Sequence, residues 1–205
     1  MIDDKYLKIL AAIYYLSRQN PTMRQVHSNQ VEALLGVSYQ DLEPTLRYLV
    51  GRDLLTATWG RTFAALVALT AEGTDYVENP LDALHTVEKS LTQTNTINVG
   101  GNLNVIDSKI VQMNAGAISE SDANITRDSF DTIVGQLPPD IAASQDIQKN
   151  RDSLNAKLQA GDRLGAAGII SGLAKVVITV AKDAAVLIQT IPIIYHVIQR
   201  LFNLP

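Results

Sequence analysis

The chain has 205 residues, a net charge of −4, 46% hydrophobic residues and no cysteine. That length suits one large domain or a small domain with an extension; the apolar content excludes wholesale disorder, and the charge excludes the strongly basic balance of many nucleic-acid binders. Without cysteine there is neither a disulfide framework nor a thiolate metal site, and the opening MIDDKYLKIL does not read as a signal peptide, which predicts a cytosolic start.

Residues 4–18 place Leu7, Leu10, Ala11, Tyr14 and Tyr15 at helical spacing. Asn20-Pro21 stops that helix. Ser28 is the expected cap of a second helix over Asn29 to Leu35, closed by Gly36. Ser38-Tyr39-Gln40-Asp41 has the form of a capping box and opens a third helix with Leu42, Leu46 and Leu49 on one face. Pro44 comes late for a helix start, which predicts an irregular first turn or a later cap. Thr56 to Trp59, a turn at Gly60-Arg61 and Phe63 to Leu69 read as a hairpin. Thr70-Ala71-Glu72-Gly73 then starts a short helix through Tyr76.

Three helices followed by a hairpin is the order of a winged helix. The stretch LLGVSYQDLEPTLRYLVGRDLL resembles the second and third helices of winged-helix regulators of the MarR and PadR kind. ALTAEGTDYVE is similar to the L-T-x-x-G-x-x-Y segment that follows their wing, and the resemblance covers residues 4–79. In that family the third helix enters the major groove and the wing touches backbone or minor groove. The resemblance implies Ser38, Tyr39, Gln40, Thr45 and Arg47 near bases or phosphates, and Arg61 and Thr62 at the wing tip. Arg24 could join Arg47 and Arg61 in a patch formed by a dimer. Charge resists this. Residues 1–80 hold seven Lys or Arg against nine Asp or Glu, a balance of −2. Asp41 and Glu43 lie on the helix that would face phosphates, whereas DNA affinity comes largely from neutralising them. Both acids also simply favour a helix N-terminus, and a winged helix used to dock a protein partner stands beside the DNA reading.

Residues 81–94, with Leu81, Leu84, Val87 and Leu91, suggest a linking helix. The period then changes to two. Ile97, Val99, Leu103 and Val105 alternate with Asn98, Gly100, Asn102 and Asn104, and Lys109 to Ala115 reads as a returning strand in a β-segment over 95–126. Residues 117–126 read as polar loop. An ordinary hairpin with one wet face explains the alternation. Asparagine is depleted in strands, however, and gains most where identical strands stack in register. The tetrad Ile97-Asn98-Val99-Gly100 resembles the core of RHIM-type signalling amyloid motifs, and INVGGNLNVIDSKIVQMNAG is similar to a Gly/Asn-rich strand motif of bacterial conflict and immune-signalling proteins. That resemblance implies self-association through residues 97–105, between an N-terminal adaptor domain and a helical or membrane-active C-terminal region.

Residues 127–205 read as that helical region. Phe130, Ile133, Val134 and Leu137 suggest a helical turn or two before Pro138-Pro139, and Ile141 to Ala160 an amphipathic helix ended by Gly161. From Leu164 the chain turns apolar. Lys175, Lys182, Gln189 and His196 step by seven with Thr179 near their line, a narrow polar stripe on one helix. A buried or interface helix gives such a stripe, and so does one lining a pore or lying on a membrane. Pro192 is expected to kink or end the helix.

His27, His85 and His196 have no metal-ligand spacing, and no phosphate loop, nucleophile elbow or zinc-protease motif occurs. The expected protein is therefore non-catalytic, with no cofactor or metal. It is mainly α with a small β part: a winged helix over residues 1–80, then the β-segment and an apolar helical region. The leading expectation is a self-associating adaptor or effector in bacterial stress or phage-defence signalling. The alternative is a dimeric DNA-binding regulator whose C-terminal region only dimerises. Expected partners are a second copy of the chain and, through the winged helix, duplex DNA or a protein, with a membrane the lesser expectation.

Overall fold

The computed structural model describes residues 3–19, 24–60, 64–81 and 117–202. Among these it is mainly helical, with a small three-stranded antiparallel sheet and two apolar C-terminal helices. The chain divides into two compact units, one of Met1–Pro80 with Val177–Pro192 and one of Leu81–Val176 with Ile193–Pro205.

In the first unit, α1 (Asp4–Gln19) buries Leu7, Leu10, Ala11 and Tyr14 as their spacing predicts. It also buries Ile9, Ala12 and Ile13. Six consecutive buried residues, Ile9 to Tyr14, leave the middle of α1 without a wet face, while Lys5, Lys8 and Arg18 toward its ends are exposed. Strand β1 is only Val26–His27. Helix α2 (Ser28–Leu35) ends at Gly36, whose φ of 66° is the left-handed conformation that suits a helix C-terminus. Its cap departs from expectation. His27 is the N-cap residue, with its backbone N–H donating to Gln30 Oε1 at 3.1 Å. Ser28 is fully buried, and its hydroxyl accepts the Ala65 N–H at 3.1 Å.

Helix α3 (Tyr39–Gly51) starts at the predicted cap: Ser38 Oγ accepts the Asp41 N–H at 3.3 Å and donates to Asp41 Oδ2 at 2.6 Å. Pro44 neither delays nor ends it. An internal proline costs about 3 kcal/mol. Leu42, Leu46 and Leu49 are all but fully buried, each contributing about 1.5–3 kcal/mol, so packing prevails.

Strands β2 (Leu55–Trp59) and β3 (Ala65–Leu69) pair antiparallel with Leu55 opposite Leu69, Ala57 opposite Val67 and Trp59 opposite Ala65. β3 lies between β2 and β1. Helix α4 (Ala71–Glu78) shows why the chain reads L-T-x-x-G. Thr70 Oγ1 accepts the Gly73 N–H at 2.9 Å and donates to the Asp53 carbonyl at 2.6 Å, while the Thr70 N–H donates to the Leu54 carbonyl at 3.2 Å. Gly73 sits against that same Leu54 carbonyl, where a Cβ would collide. The motif threonine and glycine thus lock α4 onto the turn after α3. The order α1-β1-α2-α3-β2-β3-α4 is compatible with a winged-helix arrangement.

In the second unit, α5 (Glu120–Val134) replaces the loop expected at 117–126 and cuts short the β-segment expected over 95–126. Its Ser119 cap accepts the Asp122 N–H at 3.0 Å, and Ala123 and Thr126 join Phe130, Ile133 and Val134 on the buried face. Polar Asn124, Arg127 and Asp128 disguise that helical period. After the four-residue α6 (Pro139–Ala142), α7 (Gln145–Gln159) packs on α5 and buries Ile147, Leu154 and Leu158. Two apolar helices follow, α8 (Arg163–Val180) and α9 (Ala184–Leu201); the segment Val177–Pro192, which holds the end of α8 and the first half of α9, belongs to the first unit, and Pro192 lies within α9 without ending it.

Candidate functional site

The side chains that the sequence singles out fall into two sets. The first is the outer face of α3. Its cation, Arg47, is doubly held: Nη2 lies 2.7 Å from Glu43 Oε1, and the guanidinium sits 4.3 Å from the Trp59 ring centre on β2. An exposed i,i+4 pair contributes about 0.3–0.5 kcal/mol, and an exposed cation–π contact about 0.5–1. Together they reduce the freely available Arg47 about fivefold. Ser38 is tied to Asp41 as the helix cap, Gln40 is exposed, and Tyr39 is half-buried beside Glu43. The Tyr39 hydroxyl is held above its ordinary value, first by burial and then by the Glu43 carboxylate.

Thr45 departs from its expected place near DNA. It is 7% exposed, because Leu42, Thr45, Leu46 and Leu49 share the inward face. Tyr48, exposed on the flank of α3, stacks on Tyr6 with ring centres 4.4 Å apart, and Arg52 lies 6.0 Å from its ring. The face is therefore acidic and aromatic, with its arginines already engaged by neighbours. Arg24 is exposed just ahead of β1. Arg61 and Thr62, expected at the wing tip, lie outside the described residues, as do Ile97, Asn98, Val99, Gly100, Asn102, Leu103, Asn104 and Val105.

The second set is divided among α8, α9 and the connection between them. Lys175, Thr179, Lys182, Gln189 and His196 are all exposed. They do not belong to one helix, as the step of seven suggests. α8 stops at Val180, Lys182 lies in the connection, and Asp183 Oδ1 accepts the Ala185 N–H at 2.9 Å to open α9. An acidic side chain able to cap a new helix interrupts the period. On α8 the exposed positions run Leu164, Gly168, Gly172, Lys175 and Thr179, and a Cβ at either glycine would meet nothing within 4 Å.

The C-terminal carbonyls of both helices are taken up by arginines from elsewhere. Within the first unit, Arg18 Nη1 at the end of α1 donates to the Ile178 carbonyl at 2.6 Å, and the Tyr15 hydroxyl donates to the Lys182 carbonyl at 3.1 Å. Within the second, Arg163 Nη1 donates to the Leu201 carbonyl at 2.6 Å and its Nη2 to the Ala117 carbonyl at 3.1 Å. Arg200 Nε pairs with Asp122 at 2.9 Å. The Ser119 hydroxyl, then Arg200, hold the Asp122 carboxyl below its ordinary 3.8. Helix C-termini carry unsatisfied carbonyls and a partial negative charge, which guanidinium groups satisfy together. Sequence reasoning missed these arginines because their acceptors are carbonyls distant in the chain. The Glu43–Arg47 pair, by contrast, was visible in its spacing of four.

No family model, curated protein or solved structure matches the chain.

Proposed function

We propose that this chain is a non-catalytic, self-associating adaptor or effector, and that its N-terminal domain is a winged helix that docks a protein partner rather than reading DNA. The observation that carries this is the outer face of α3, where Glu43 and Trp59 hold Arg47 and Asp41 adds a further acid. Such a face supplies little of the phosphate neutralisation on which DNA affinity depends. Half-exposed aromatics such as Tyr48 and Trp59 are what protein interfaces favour. Self-association is assigned to residues 97–105, and bacterial stress or phage-defence signalling is the setting that their motif resemblance suggests.

The test is solution mass by light scattering, beside binding of a mixed-sequence duplex at low salt. An oligomer without appreciable duplex affinity supports the reading, and Val99→Asp should then lower the mass, since a charge buried between strands is costly. A second reading, a dimeric DNA-binding regulator, draws on the order of α1 to α4 and on exposed Arg24. It requires Arg47→Ala and Arg61→Ala each to weaken duplex binding and lower the salt slope by about one unit. Unchanged binding in both variants ends it.

A further inference from the structure

We propose that α8 and α9 are a bilayer-inserting element, and that the end of α1 is the clasp that keeps them folded away from lipid. The inference deepens the effector reading and rests on it. Each helix has 18 residues, a length of about 27 Å, close to the hydrocarbon thickness of a bilayer. Their mean hydropathies are 1.6 and 1.3. α9 carries no charge from Ala184 to Gln199.

Core helices of water-soluble folds can be as apolar, but the outward line of α8 departs from that pattern. α7 presents Gln148, Lys149, Asp152 and Ser153 to solvent, whereas α8 presents Leu164, Gly168 and Gly172 before its first exposed charge at Lys175. Glycine inside an exposed helix is destabilising relative to alanine. No packing here requires it, since a Cβ at Gly168 or Gly172 would enter open space. Small residues of this spacing gain their advantage where helices approach closely in lipid.

The clasp is local and polar. Arg18 and Tyr15 hold the Ile178 carbonyl in the last turn of α8 and the Lys182 carbonyl in the connection that follows it. The same segment, Val177–Pro192, belongs to one compact unit with α1. Loss of those hydrogen bonds releases the connection between the two helices, and exposed Lys182 in that connection favours a surface bearing anionic lipid.

The experiment compares full-length wild type, Tyr15→Phe, Arg18→Gln and the double variant. The readouts are flotation with, and dye release from, vesicles of phosphatidylcholine with and without phosphatidylglycerol; circular dichroism and light scattering are run on the same samples. Bound fraction and release should rise in that order, by about tenfold for the double variant, the worth of a hydrogen bond from a charged donor in an equilibrium. Gly172→Asp, placed at the centre of α8 in open space, should fold normally in water and cut the double variant's insertion about a hundredfold. If the double variant does not fold, the two single variants and Gly172→Asp on wild type carry the test.

Folded clasp variants that ignore both kinds of vesicle overturn the inference. So does an increase in mass without vesicle binding, which would assign the released surface to a second copy. Insertion unaffected by Gly172→Asp overturns it too. A self-associated chain that ignores vesicles leaves the adaptor reading intact, whereas a monomer that ignores them removes both.

Discussion

Gly73→Ala and Gly172→Ala are the same chemical change in two helices, and the structure gives them opposite signs. Added to Gly73, a Cβ collides with the Leu54 carbonyl oxygen, and it lies 2.9 Å from the Leu54 carbonyl carbon and 3.1 Å from Leu69 Cδ2. Two of those atoms are backbone, fixed by the Thr70 N–H on the same carbonyl. Relief therefore requires α4 to move off the turn after α3. Overpacking of this kind costs about 1–3 kcal/mol, and backbone opposition places Gly73→Ala at the upper end. Alanine's better helix propensity returns about 1 kcal/mol, so the net loss is about 2 kcal/mol. At Gly172 a Cβ meets nothing within 4 Å, and only the propensity gain of about 1 kcal/mol remains.

The assay is urea unfolding followed by two signals. Trp59 is the single tryptophan and lies in the same unit as Gly73, so its fluorescence reports that unit. Far-ultraviolet circular dichroism, dominated by helix, reports Gly172. Gly73→Ala should lower the fluorescence midpoint with an unchanged slope, and Gly172→Ala should raise the midpoint of the dichroism signal. A Gly73→Ala chain as stable as wild type would refute the close approach, and with it the physical account of the L-T-x-x-G segment.

The remaining predictions concern ionisation and the face of α3. Tyr14 and Tyr76 are both pushed up to about 12, chiefly by burial; the Glu78 carboxylate at 2.6 Å adds to the effect at Tyr14, and the charge of Glu72 adds at Tyr76. Alkaline titration at the tyrosinate absorbance should therefore show two late groups. Because the folded chain holds those protons more tightly than the unfolded chain, their contribution to stability is full below pH 10 and is lost as pH rises through 12. Asp122 works in the opposite direction. Its folded value is depressed, so its contribution is present above the ordinary 3.8 and fades as the pH falls below it. Asp122→Asn should flatten the acid limb of a stability profile measured from neutral to acid pH. Glu43→Gln removes the ion pair on Arg47. If α3 faces DNA, duplex affinity should rise and the salt slope steepen by about one unit; the protein-docking reading expects no change in either.

Legibility in the sequence followed the range of the interactions. Local chemistry was readable: the Ser38 cap, Gly36 at the end of α2, the hairpin from Leu55 to Leu69 and the inward leucines of α3 all lie where spacing and turn residues put them. The burial of Thr45 could have been read as well, since 42, 45, 46 and 49 form one helical stripe. Its placement near DNA came from resemblance, which disregarded the periodicity. Strand β1 was not readable, because two residues carry no period and their partners on β3 are distant in sequence. Ser28 misled for a related reason. It is a good cap by type, yet its hydroxyl meets Ala65 far along the chain. The start of α5 was hidden by its composition: a helix whose exposed face is Asn, Arg and Asp resembles a loop until its Ala123, Thr126, Phe130 period is followed far enough.

The arginines connect these observations. Arg18 and Arg163 cap the carbonyl ends of the apolar helices. Arg47 is held by Glu43 and Trp59, Arg151 and Arg200 by Asp131 and Asp122, and Arg127 by Asn155 and Asn124. Guanidinium groups are the protein's best phosphate ligands because their planar donors bind oxygen pairs. Here six of the eight described arginines already engage neighbours through polar contacts, Arg18 and Arg163 on helix-end carbonyls and the other four on side-chain oxygens, and none of the eight is buried. A nucleic-acid surface leaves its arginines unengaged, whereas most of these are paired while still exposed or half-exposed. On α3 that engagement of Arg47 is what the proposed protein-docking face expects, and Glu43→Gln is the change that tests it.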